Sequence, residues 1–187
     1  MKTFLAILLI FFSLTTLSQP KWHPYLGLHV SMDAEGYYVG PSAQIGINYQ
    51  LKKRFVLSSY FHYFPKRVDK RYRDGSFEHG RYRSMIAALL AETNYFKKNN
   101  RGILLAGGIA VQHTYDNYTS TYYDQYIKRT ILVAALRVGY SLPAWKESII
   151  SELNATGPHI GKKGPAPYYE QIIEILTQLS LGMRLVF

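Results

Sequence analysis

The chain has 187 residues, no cysteine, 15% aromatic residues, a formal net charge of +10 and a pI near 9.7. Without cysteine it is not a disulfide-stapled scaffold, a thiol enzyme or a Cys-ligated zinc protein. A charge of that sign points to nucleic acid in a cytosolic protein, but the first residues argue for export, which makes membrane phosphates the anions to expect and leaves no nucleic-acid partner.

The opening follows the three-part plan of a secretory signal: basic Lys2, an apolar run from Phe4 to Phe12, then a polar stretch from Ser13 to Ser18. The apolar run falls far short of the roughly 20 residues a spanning helix needs. It reads instead as a leader cut before Gln19, where Thr16 and Ser18 offer the short side chains a signal peptidase accepts. Residues 1–18 are therefore expected to be removed, leaving one domain over 19–187.

From there the polarity alternates with period two in segments separated by turn residues, as in a strand with two different faces. The segments fall at 25–33, 39–50, 54–64, 81–96, 102–115, 126–142 and 148–156, with a last one running from Ile173 to the end. In the second, Val39, Pro41, Ala43, Ile45, Ile47 and Tyr49 oppose Gly40, Ser42, Gln44, Gly46, Asn48 and Gln50. In the last, Ile173, Ile175, Thr177, Leu179, Leu181, Met183, Leu185 and Phe187 oppose the mostly polar set Glu174, Leu176, Gln178, Ser180, Gly182, Arg184 and Val186. An even count of eight suits a single-chain antiparallel barrel. Its connections are short at Leu51–Lys53, Lys97–Arg101 and Pro143–Glu147. On the other side they are longer, at Pro65–Gly80, Asp116–Gln125 and Pro158–Tyr168, with one tight turn at Ala34–Gly36.

A soluble lipocalin-like barrel has the same alternation with its faces exchanged, so the polar face decides. Here it carries Gly, Ser, Asn and Gln with a few charges of both signs, while lysine keeps to turns, loops and strand margins. That composition suits the narrow, side-chain-filled lumen of eight strands. Aromatic residues also gather at strand ends, Tyr25, Tyr49, Tyr95 and Trp145 by the short turns and Tyr38, Tyr63, Tyr82 and Tyr115 by the long loops. A bilayer interface favours such placement, because it buries the ring and wets the polar atom.

The chain closes on Ser180, Gly182, Leu185 and Phe187, spaced polar-x-Gly-x-x-apolar-x-aromatic. This is similar to the insertion signal of outer-membrane barrels, and the whole layout resembles the small eight-stranded barrels of the OmpA and OmpX type. The resemblance implies an all-β, eight-stranded antiparallel up-and-down transmembrane barrel, with short periplasmic turns and longer outer loops, in the outer membrane of a Gram-negative cell. It further implies a monomer whose last strand is recognised by the barrel-assembly machinery. In physical terms, Phe187 would anchor the strand end at the interface and Gly182 would relieve crowding in the wall.

If odd positions face lipid in the fourth and last segments, Glu92, Glu174 and Arg184 point inward, joined by Arg137 and Glu152. Isolated charge in a low-dielectric interior is costly, so these residues are expected to form an internal ion-pair network that plugs the lumen rather than a conducting path. The histidines His23, His29, His62, His79, His113 and His159 show no metal-ligand spacing with a carboxylate companion, so neither a metal nor a cofactor is expected. A lipid-modifying dyad would have to use His113, Thr114 and Asp116, but in a regular strand Thr114 faces away from His113. The most distinctive connection joins Lys66, Arg67, Lys70, Arg71, Arg73, Arg81 and Arg83 with Tyr72, Phe77 and Tyr82. Guanidinium forks grip phosphates with two parallel bonds, which makes lipopolysaccharide phosphate the expected ligand. The function expected is non-enzymatic, namely support of the membrane or contact at the surface. The alternatives are a lipid A-modifying barrel enzyme and a soluble periplasmic ligand-binding barrel.

Overall fold

The computed structural model describes residues 22–33, 38–52, 55–98, 101–122, 124–144, 147–159 and 177–187. They form eight strands: β1 (Trp22–Asp33), β2 (Val39–Lys52), β3 (Phe55–Arg71), β4 (Phe77–Lys98), β5 (Arg101–Ser120), β6 (Asp124–Ala144), β7 (Glu147–His159) and β8 (Gln178–Val186). Each is antiparallel to the next, and β1 pairs with β8 from Tyr25↔Val186 to Asp33↔Gln178, so the sheet closes on itself. Closure removes the unpaired edges that hydrocarbon does not tolerate. The leader at 1–18 and residues 173–176 of the expected last segment lie outside the described residues.

Strand alternation decides which side chains face out. Along β3, Leu57, Phe61 and Tyr63 are exposed while Ser58, Tyr60 and His62 are buried. The same phase holds in β8, where Leu181 is 64% exposed and Ser180 and Arg184 are 3% and 1% exposed. Around the wall, Leu28, Val30, Ile109, Leu136 and Met183 complete an apolar exterior. This is the reverse of a lipocalin-like barrel, whose apolar side chains line its cavity.

The interior departs from the expected hydrophilic filling. β4, β5 and β6 send Ile86, Leu90, Leu104, Ala106, Val133 and Ala135 inward, beside Tyr25 and Tyr60. Both faces of these strands are apolar, so the lumen has one oily wall and one polar wall. Eight strands enclose a space that side chains must fill, and branched apolar groups fill it at close-packed density where no charge needs a partner.

Strand length also differs from expectation. β3 to β6 have 17, 22, 20 and 21 residues, against 12, 14, 13 and 9 for β1, β2, β7 and β8. A bilayer crossing uses about 9–11 residues, so β3 to β6 continue past the apolar belt as a rib. The segments expected as outer loops, 65–80 and 116–125, are largely strand. β3 pairs with β4 as far as Arg71↔Phe77, and β5 with β6 as far as Thr119↔Asp124. The apolar alternation stops at the membrane surface, whereas the backbone ladder does not.

Between β3 and β4 only Tyr72–Ser76 is a turn, closed by the Tyr72 N–H donating to the Ser76 carbonyl at 2.8 Å. Gly75 takes φ +88° there, a conformation that favours a residue without Cβ. The Asp74 carboxylate accepts the Ser76 hydroxyl at 2.6 Å and the Ser76 N–H at 3.0 Å, and these bonds hold its carboxyl below the usual range.

Candidate functional site

Four charged side chains meet at mid-lumen. Arg137 from β6 lies 3.2 Å from Glu92 of β4, and Arg184 from β8 lies 2.8 Å from the same Glu92 oxygen. Glu152 of β7 takes the other side of both arginines, 2.9 Å from Arg184 Nε and 3.6 Å from Arg137 Nε. The Arg184 contact is close enough for strong attraction, but its N–H is misdirected for a hydrogen bond. Arg137 is better held: it donates to Asn154 Oδ1 at 2.8 Å, Ser58 Oγ at 3.2 Å and the Tyr25 hydroxyl at 3.3 Å. The rings of Tyr60 and Tyr25 lie against the two guanidinium groups, at 4.7 Å for Arg137 and 4.8 Å for Arg184. Two carboxylates and two guanidinium groups leave no net charge, which is how four buried ions become tolerable. Glu174, expected in the same network, lies outside the described residues.

Two histidines join this cluster, which corrects their reading as scattered polar residues. His29 Nε2 lies 2.9 Å from Glu152 Oε1, and its ring is 5.5 Å from that of His62. The Ser31 hydroxyl gathers the neighbours, with Ser42 Oγ at 2.6 Å, Ser180 Oγ at 2.7 Å and His62 Nε2 at 3.1 Å. Spacing along one strand could not show this, because the partners sit on five strands. The available signal was that His29, His62 and Glu152 all fall in the inward phase. Gly182 is part of the same packing: a Cβ there would strike the Leu28 carbonyl and the His29 ring.

Above the ions, Tyr38, Phe64, Val68 and Tyr82 close the outer mouth, with Tyr38 and Tyr82 stacked at 4.7 Å. The Tyr38 hydroxyl donates to Asp116 at 2.8 Å and its N–H to Asp33 at 2.8 Å. Asp116 stands above the apolar belt. Burial pushes its carboxyl up, the bond from Tyr38 opposes that, and the charge of Asp33 adds to the rise.

The basic residues of the rib divide between two faces. Outward, the register sets Phe61, Ala87, Val111 and Leu132 in one row, then Tyr63, Met85, His113 and Thr130, then Pro65, Arg83, Tyr115 and Lys128, then Arg67, Arg81, Asn117 and Tyr126. Arg67, Arg81, Arg83 and Lys128 therefore form one exposed cationic band immediately beyond the apolar rows. Arg67 is shared with Asp69 at 3.4 Å. Arg71 and Arg73 are exposed at the tip, whereas Lys66 and Lys70 take the inward phase, Lys66 over Gly40 and Lys70 3.8 Å from Glu78. A contiguous run in sequence is thus not a contiguous patch, and Lys128, in a different segment, belongs to the band.

His113, Thr114 and Asp116 are not brought together. Thr114 and Asp116 face inward, and His113 Nδ1 instead lies 2.7 Å from the Thr130 hydroxyl on the outer surface. In the last strand, Ser180 is inside, Leu185 is half-buried, and Phe187 is 42% exposed with its N–H donating to the Pro24 carbonyl at 3.0 Å.

A closed antiparallel wall of eight strands, oily outside and packed with paired charges inside, has the architecture of the small outer-membrane β-barrels. Neisserial surface protein A shares it at 11% identity and a TM-score of 0.52, over 88% of this chain and 94% of that one. The N-terminal β-barrel domain of Pseudomonas aeruginosa OprF does so at 13% identity and a TM-score of 0.53, over 89% and 98%. At these identities the likeness is one of fold. No family model matches the sequence, and no curated protein matches it.

Proposed function

We propose that this protein is a non-enzymatic barrel of the outer membrane that supports the envelope or mediates surface contact, and that its cationic band holds lipopolysaccharide phosphates. The observation that carries this reading is the band of Arg67 on β3, Arg81 and Arg83 on β4 and Lys128 on β6, in two adjacent register rows just where the apolar rows end. Headgroup phosphates of an outer-leaflet lipid would lie at that height. Each basic side chain near an anionic bilayer face contributes about 1 kcal/mol, and guanidinium pairs add bidentate geometry. Export by the leader at 1–18 and insertion as a monomer through the Ser180, Gly182, Leu185 and Phe187 signal belong to the same reading. The non-enzymatic part is supported by His113, whose hydroxyl neighbour is the secondary alcohol of Thr130, with no carboxylate among its described partners.

The test is titration of the barrel in phospholipid nanodiscs with lipid A. A triple variant, Arg81→Glu with Arg83→Glu and Lys128→Glu, is expected to bind about a hundredfold more weakly, as three lost contacts of that size imply. Unchanged affinity in the folded variant contradicts the proposal.

A further inference from the structure

We infer that the inner face of the rib, above the barrel mouth, is a binding site for a neutral saccharide. β3, β4 and β5 rise above β1 and β2, so the inward phase of these strands, which packs the lumen below, opens there onto a cavity of about 390 Å³. That volume lies within the roughly 300–1,000 Å³ of small-molecule sites. Four tyrosines line it, Tyr38, Tyr72, Tyr118 and Tyr122, and Phe77 borders it from the outward phase that it shares with Arg81. Tyr122 is 82% exposed and Tyr72 44%. These rings do not serve as membrane anchors, because the interfacial rows with Tyr63 and Tyr115 lie lower and on the opposite face.

The polar groups select the ligand class. Lys70 and Glu78, register partners on β3 and β4, form an ion pair at 3.8 Å on one wall of the cavity, and Glu78 also accepts the Tyr72 hydroxyl at 3.0 Å. An anion meets Glu78 and a cation meets Lys70, so a ligand of either sign is disfavoured, and the arginine band lies on the other side of the sheet. A carboxylate with acceptor capacity to spare beside an ammonium donor suits a molecule rich in hydroxyls of its own. Flat rings beside them suit the C–H faces of a pyranose. The walls are also pre-set: Phe77 N–H donates to Thr121 Oγ1 at 2.9 Å, Thr121 N–H returns to the Phe77 carbonyl at 3.2 Å, and Tyr122 N–H donates to Ser120 Oγ at 3.3 Å. Such rigidity lowers the ordering cost of binding.

The experiment is saturation-transfer NMR on the whole barrel in nanodiscs free of lipopolysaccharide. The probes are maltotriose, cellotriose and chitotriose, with choline and a sulfated disaccharide as charged counterparts. At least one neutral trisaccharide should receive saturation at its ring C–H protons. Its affinity should fall roughly tenfold or more in Tyr72→Ala with Tyr122→Ala, and persist in Tyr122→Phe. It should also persist in Arg81→Glu with Arg83→Glu, which separates this site from the lipid band. Heat-modifiable migration on gels confirms that each variant is folded. Binding of no neutral trisaccharide, binding untouched in the alanine variant, or binding of the charged probes alone overturns the inference.

Discussion

Arg137→Met is expected to destabilise the barrel by about 3–5 kcal/mol, read as a drop in the urea midpoint of unfolding from lipid vesicles. The variant keeps a side chain of similar length, so the loss is electrostatic in origin. Glu92 and Glu152, each no more than 3% exposed at the side chain, would share the single guanidinium of Arg184. Asn154, Ser58 and Tyr25 would each lose a donor as well. Removing a carboxylate at the same time, in Arg137→Met with Glu152→Gln, should restore much of the loss, because one guanidinium then faces one carboxylate. A cost below about 1 kcal/mol for the single change would mean that water reaches the quartet and screens it, so that the lumen is not plugged there.

Leu181→Arg should cost about 2–4 kcal/mol in the same assay, the range for a cation placed on the lipid face near the bilayer midplane. Leu181 stands opposite Val30 of β1 and Leu153 of β7, both outward and exposed, so a guanidinium there has only acyl chains around it. Tyr126→Arg is the matched control. Tyr126 is equally outward and 65% exposed, but it stands in the row of Arg67 and Arg81 beyond the apolar belt. Its replacement should change stability little.

Most of the wall was legible in the sequence because the membrane imposes one rule on it. β2 alternates strictly and β8 does so apart from Val186, and the structure keeps the phase read from Leu179 to Phe187 and from Val39 to Tyr49. The rule weakens where the interior is itself apolar. In β5, Ile103 faces out and Leu104 in, so polarity no longer marks the faces, and only the pairing to β4 and β6 fixes them. It fails where the wall leaves the membrane. Lys66, Arg67 and Asp69 look like loop by composition yet lie in β3, because water tolerates charge on both faces of a strand. The inward charges could be read one strand at a time, but their partners could not. His29 with Glu152 and Arg184 with Glu92 join positions 123 and 92 residues apart, which only closure of the sheet makes neighbours. The mouth pocket was hidden for a related reason: its rings come from three hairpins, with Tyr38 before β2, Tyr72 after β3, and Tyr118 and Tyr122 at the end of β5.

The central claim is that the apolar face of this closed wall meets lipid while the opposite face fills the interior. Its most direct test is spin labelling at Leu28, Leu136 and Leu181, replaced by cysteine one at a time in a chain that otherwise has none. In a bilayer, all three nitroxides should collide readily with dissolved oxygen and be shielded from a water-soluble nickel chelate. Labels that are relaxed by the chelate, or that are inaccessible to both reagents, would contradict that claim.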